Sequence, residues 1–161
     1  MDAMRGMMEK LKLTVNDDKT HLCQIPQERF DFLGYTFGRC YSQKTGRAYI
    51  GTRPSPKSVK RMVENIIQET DRCRTILEVE VVVGRLNRKL IGWANYFCLG
   101  RVSPAYRAID PHVTQRLRRW LCKKHKVPGT GWSRYPNQYL YEKLRLVNLP
   151  ARIHDLPWAK A

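Results

Sequence analysis

The side chains that could do chemistry are cations in the second half of the chain. They are Arg85, Arg88, Lys89, Arg101, Arg107, Arg116, Arg118, Arg119, Lys123, Lys124 and Lys126, with the amide of Asn95 among them. Guanidinium forks and ammonium groups in such density match phosphate oxygens. From Arg101 to Lys126 there are eight Lys/Arg and one acid, Asp110. A merely solvated helix mixes signs so that i, i+4 pairs form. This stretch does not, which points to a phosphate-contacting face.

The whole chain repeats that bias. Its 161 residues carry a net charge of +16, with a pI near 10.0. A domain this basic repels itself unless an anion lies against it, and the usual anion is nucleic acid. An acidic membrane surface and an acidic protein come behind it. Other chemistry is thinner. Asp17-Asp18 could hold Mg²⁺, but Asn16 and Lys19 beside them favour a solvated turn. The five cysteines, at 23, 40, 73, 98 and 122, include no Cys-x-x-Cys pair, which argues against a zinc finger. Cys122 and His125 have ligand-like spacing without a second pair. A reducing, cytoplasmic setting is expected, and no signal or membrane-spanning run is visible.

The elements that must position these groups can be read from apolar spacing. Val79, Val82, Leu86, Leu90, Trp93 and Phe97 step by threes and fours, predicting a helix with Arg85, Arg88, Lys89 and Asn95 on the other side. Gly84 and Gly92 interrupt it at a cost of about 1 kcal/mol each, so close approach of another backbone is expected there. Before it, Ser55 can cap and Pro56 can open a helix. Val59, Met62, Val63, Ile66 and Ile67 are expected inward, and Arg72 and Arg74 at its close. After it, Pro104 opens a short helical turn, and Asp110-Pro111 reads as a restart with Asp110 as cap. The new helix buries Val113, Leu117, Trp120 and Leu121. Trp93, Phe97 and Trp120 are expected in the core; Tyr96, Tyr106, Trp132 and Tyr135 are candidates for stacking on bases.

Upstream, residues 1–13 look like the tail of a helix and Lys19–Cys23 like a short strand. Phe30–Phe37 reads as strand broken at Leu33-Gly34 by a bulge or a close backbone approach. A turn over 42–46 and a strand over 47–50 follow. Downstream lie a loop over 127–134, a short amphipathic helix over 136–147 and a tail draped over the surface. The fold expected is α+β, mainly α. A small β-hairpin unit (1–52) precedes a helical domain of about three helices (53–126), then a C-terminal helix and tail (127–161).

Val82–Phe97, VVGRLNRKLIGWANYF, resembles the maturase-specific region of bacterial group II intron reverse transcriptases. There a Leu-Asn pair precedes Gly-Trp and Asn-Tyr-Phe; here these are Leu86-Asn87, Gly92-Trp93 and Asn95-Tyr96-Phe97. The likeness runs on through Tyr106, Ile109-Asp110, the basic RLRRWLCKKHK run and YLYEKLRLVNL. In that last stretch family members usually carry glycine where this chain has Arg145. LKLTVNDDKT and FDFLGYTF resemble the late palm motifs of the same polymerases.

The resemblance implies a palm edge, a thumb and a maturase region. Lys19 would lie near the incoming nucleotide, and Leu33 and Gly34 in the hairpin that grips the primer end. It also implies group II intron RNA or an RNA-containing duplex as partner, and a role in splicing and mobility. The Tyr-x-Asp-Asp metal site of these polymerases is missing from this sequence. No catalytic residue is therefore assigned, and Mg²⁺ is expected only in a complete polymerase. Two competitors remain: DNA synthesis when joined to fingers and palm, and double-stranded DNA binding through residues 104–126. The latter lacks the Asn/Gln base readers of a recognition helix.

Overall fold

The computed structural model describes residues 2–12, 14, 23–42 and 45–153. The possible strand at Lys19–Cys23, Lys19 itself, Asp17-Asp18 and the draped tail fall wholly or mainly outside them. In chain order the elements are α1 (Asp2–Lys10), β1 (Phe30–Phe32), β2 (Tyr35–Tyr41), β3 (Ala48–Pro54), α2 (Pro56–Glu69), α3 (Val79–Tyr96), α4 (Ser103–Lys124) and α5 (Leu149–Arg152). A 3-10 segment, Arg72–Ile76, links α2 to α3, and a π-helical turn, Tyr139–Lys143, precedes α5. The architecture is mainly helical with one small antiparallel sheet, as the sequence indicated.

The sheet runs β1-β2-β3. Leu33-Gly34 is neither a bulge nor part of a strand; it is a two-residue turn between Phe32 and Tyr35, which pair directly. Leu33 has φ 49° and Gly34 φ 79°, the left-handed pair that matches strand twist in tight hairpins. Gly34 is crowded by a side chain rather than by the backbone approach expected, since a Cβ there would lie 3.0 Å from Phe97 Cζ. The third strand is longer than the spacing suggested. It pairs with β2 from Tyr41↔Ala48 to Tyr35↔Pro54.

The core belongs to α2, α3 and α4. Ser55 caps α2 by accepting the Ser58 N–H at 3.2 Å, with Pro56 in the first turn. Met62 and Ile66 are buried, whereas Ile67 is exposed. The buried stripe is narrow, and Ile67 falls at its edge. The helix stops at Glu69 with Thr70 as C-cap; Arg72 and Arg74 belong to the 3-10 segment instead. Val82, Leu86, Leu90 and Ala94 of α3 are fully or almost fully buried with Tyr106, Ile109, Val113, Leu117, Trp120 and Leu121 of α4. Each such large apolar side chain contributes about 1.5–3 kcal/mol on burial.

α4 corrects the sequence reading. It is continuous from Ser103 to Lys124, with Pro111 inside it. The apolar row Tyr106, Ile109, Val113, Leu117 keeps helical spacing across the proline, and Pro111 sits on the exposed side. Asp110 does not cap a new helix. Its carboxylate accepts the Tyr141 hydroxyl at 2.5 Å and the Leu149 N–H at 3.4 Å, holding the C-terminal segment against α4. The helix expected over 136–147 ends early, at Lys143.

Candidate nucleic-acid interface

The basic residues of α4 divide into three groups. Arg107, Arg119 and Lys123 are exposed. With exposed Pro111 and Gln115 they fall at steps of four, Arg107-Pro111-Gln115-Arg119-Lys123, a line that crosses the outer face of the helix obliquely and turns about 160° round its axis from end to end. Sixteen residues of helix rise about 24 Å, several phosphate spacings. The helix's acid, Asp110, faces Tyr141 and Leu149 instead. Lys126, just past the helix end, is also exposed.

The second group docks helices. Arg116 Nε donates to Thr70 Oγ1 at 3.1 Å, and its Nη2 reaches the carbonyls of Ile67 and Thr70. Lys124 Nζ donates to the carbonyls of Leu77 and Thr75 at 2.8 and 3.2 Å. Both satisfy carbonyls that helix ends leave open, where positive charge is favoured. The third group is Arg118 alone. It was expected on the exposed face, yet it is 1% exposed. Its Nε donates to the Tyr135 carbonyl at 2.8 Å and its Nη2 to Asn137 Oδ1 at 2.6 Å. The guanidinium lies 3.7 Å from the centre of the Trp132 ring. The loop after α4 folds back over this side; at Gly131, φ 73°, a side chain would strike Cys122 Sγ. Sequence spacing does not register a loop that covers a helix face.

On α3, Arg88 and Asn95 are exposed and Arg85 is half-buried. Asn95 accepts from Arg152 Nη2 at 3.2 Å. Lys89 is not a free cation. Its Nζ is 2.8 Å from Glu69 Oε1, and Arg74 pairs with the other oxygen of the same carboxylate. Burial alone would raise the pKa of Glu69; the hydrogen bond and charge of Lys89, with Arg74 and Arg85, more than offset it and hold the carboxyl below its usual range. Glu69 escaped the sequence reading. The available signal was its place in the buried row Met62, Ile66, Glu69. Gly84 and Gly92 correct another expectation: a Cβ at either would meet nothing within 4 Å.

Asn87 also has a role that spacing did not reveal. Its Nδ2 donates to the Arg145 carbonyl at 2.8 Å and its Oδ1 accepts the Val147 N–H at 2.9 Å. Of the stacking candidates, Tyr106 and Tyr135 are buried. The Tyr106 hydroxyl is shared between the carbonyls of Ala94 and Phe97, and burial pushes its pKa up to about 12. Tyr96 and Trp132 are exposed at 53% and 56%. Leu33 and Gly34 form the hairpin tip beside α3, and Arg101 N–H ties the following loop to the Thr52 carbonyl at 2.9 Å.

The family model described as "Group II intron, maturase-specific domain" matches residues 59–140. The chain belongs to that family. A comparison with curated proteins finds no match. The matched span of the maturase-specific domain runs from α2 into the π-helical turn, so it contains both the exposed row on α4 and the groups that hold the helices together. The sheet lies outside it. Among the described residues, no helix is long and apolar enough to cross a membrane.

Proposed function

We propose that this maturase-specific module is an RNA-binding unit that grips group II intron RNA or a template–primer duplex and assists splicing and mobility. Residues 53–126 form the gripping unit, working in the cytoplasm. The observation that carries this reading is the acid-free exposed row of α4, Arg107 to Lys123. A-form RNA presents phosphates and 2′-hydroxyls across a wide, shallow minor groove, so charge and shape dominate its recognition. Arg88, Lys126 and Arg101 extend the same function on neighbouring segments. Arg118 is withdrawn from the contact set by burial, and Lys89, Arg116 and Lys124 act mainly inside the protein.

Binding of a group II intron RNA, measured by fluorescence anisotropy across a salt series, tests the proposal. With six to ten phosphates engaged, affinity should fall roughly 10³- to 10⁵-fold between about 50 and 200 mM salt. A flat response, or equal competition by random duplex DNA, would defeat it.

A further inference from the structure

A cavity of about 500 Å³ opens where the hairpin tip meets α2 and α3. That volume is within the roughly 300–1,000 Å³ of small-molecule sites. Its wall holds Trp93, Phe97 and Met62; Leu33, Tyr96, Lys57 and Arg61 are exposed at its margin. Half-buried Asn65 lines the same cavity, and its amide makes no hydrogen bond among the described residues. The Asn65 amide therefore offers both a donor and an acceptor to an occupant of the cavity.

The wall chemistry narrows the occupant. Aromatic rings offer a stacking surface, the Asn65 amide offers edge hydrogen bonds, and Lys57 and Arg61 offer charge at the margin. A planar heterocycle joined to a phosphate satisfies all three. We infer that the cavity receives a single nucleotide turned out of the stack of the bound RNA, its base against Trp93 and its phosphate toward Lys57 and Arg61. This rests on the RNA-binding reading and adds recognition of an unpaired nucleotide to it.

The test compares a fully paired RNA duplex with one of equal length carrying a single-nucleotide bulge of 2-aminopurine. The native chain should bind the bulged RNA about tenfold more tightly, since stacking of one base is worth about 1–3 kcal/mol, and the bulge fluorescence should fall on binding. Asn65→Ala and Trp93→Leu should each remove that preference and keep the affinity for paired RNA. Equal affinity of the native chain for the two RNAs overturns the inference and leaves duplex binding standing. Retention of the preference in both variants overturns it too, by attributing the effect to RNA flexibility. Failure of either RNA to bind overturns the RNA-binding reading and this one with it. Asn65 lies outside the core, so its variant keeps the test decisive if Trp93→Leu weakens folding.

Discussion

The Tyr96 hydroxyl donates to the Leu33 carbonyl at 2.9 Å, fastening the apex of the hairpin to the last turn of α3. The Tyr35 hydroxyl returns the contact, donating to the Tyr96 carbonyl at 2.5 Å. The Ser55 N–H adds a third tie, to the Gly34 carbonyl at 2.8 Å. A three-stranded sheet is thereby attached to a helical core that it does not share. Tyr96→Phe should cost about 1 kcal/mol. Amide exchange over 30–41 should quicken while α2, α3 and α4 stay protected. Unchanged exchange in the hairpin would show that this tie is idle.

Arg118 should behave as an interior residue. Lysine in its place keeps the charge and loses both the fork geometry and the stacking on Trp132. Arg118→Lys is expected to lower stability by about 2 kcal/mol, read as a shift in the urea midpoint. Stability equal to the native chain would mean that the fork and the stack contribute nothing.

Arg107, Arg119 and Lys123 should behave as surface residues. Replacing all three by alanine should leave the thermal melt within about 1 kcal/mol of native. The same change should reduce the slope of log affinity against log salt by about three. A native slope in a folded triple variant would place the RNA contacts elsewhere. Charge reversal at Arg116 is a poor probe by comparison, because it would also disturb the end of α2.

Glu69 gives a pH dependence with a defined sign. Its folded pKa lies below the ordinary 4.5. The stabilisation is therefore complete above that value and is lost as pH falls through the lower folded value. Urea midpoints measured from neutral pH downward should decline in this acid window, and Glu69→Gln should flatten that part of the decline. An identical acid limb in the variant would remove Glu69 as the cause.

Arg145 stands with φ 56°, in the left-handed region at the end of the π-helical turn. The Leu146 N–H donates back to the Leu140 carbonyl at 2.9 Å around it. This is the position where the resembling polymerases usually carry glycine. Glycine adopts that conformation without the Cβ clash, so Arg145→Gly should stabilise the chain by about 0.5–1 kcal/mol. A lowered melting temperature would show that the arginine side chain contributes more than its backbone strain costs.

Residue order by itself determined the helical cores of α2 and α3, the Ser55-Pro56 start, the family and the positive field. Each of these depends on neighbours a few positions apart or on the sum of charge, both of which are present in a linear string. Tertiary structure decided which cations remain free. Lys89 is paired by a carboxylate from α2, Arg116 and Lys124 by carbonyls of neighbouring helices, and Arg118 is covered by a loop 14 to 19 residues further on. It also converted Asp110-Pro111 from a helix start into a helix interior, because Tyr141 and Leu149 take up the carboxylate. Partners so far apart along the chain leave no periodic trace, and only folding brings them within hydrogen-bond reach.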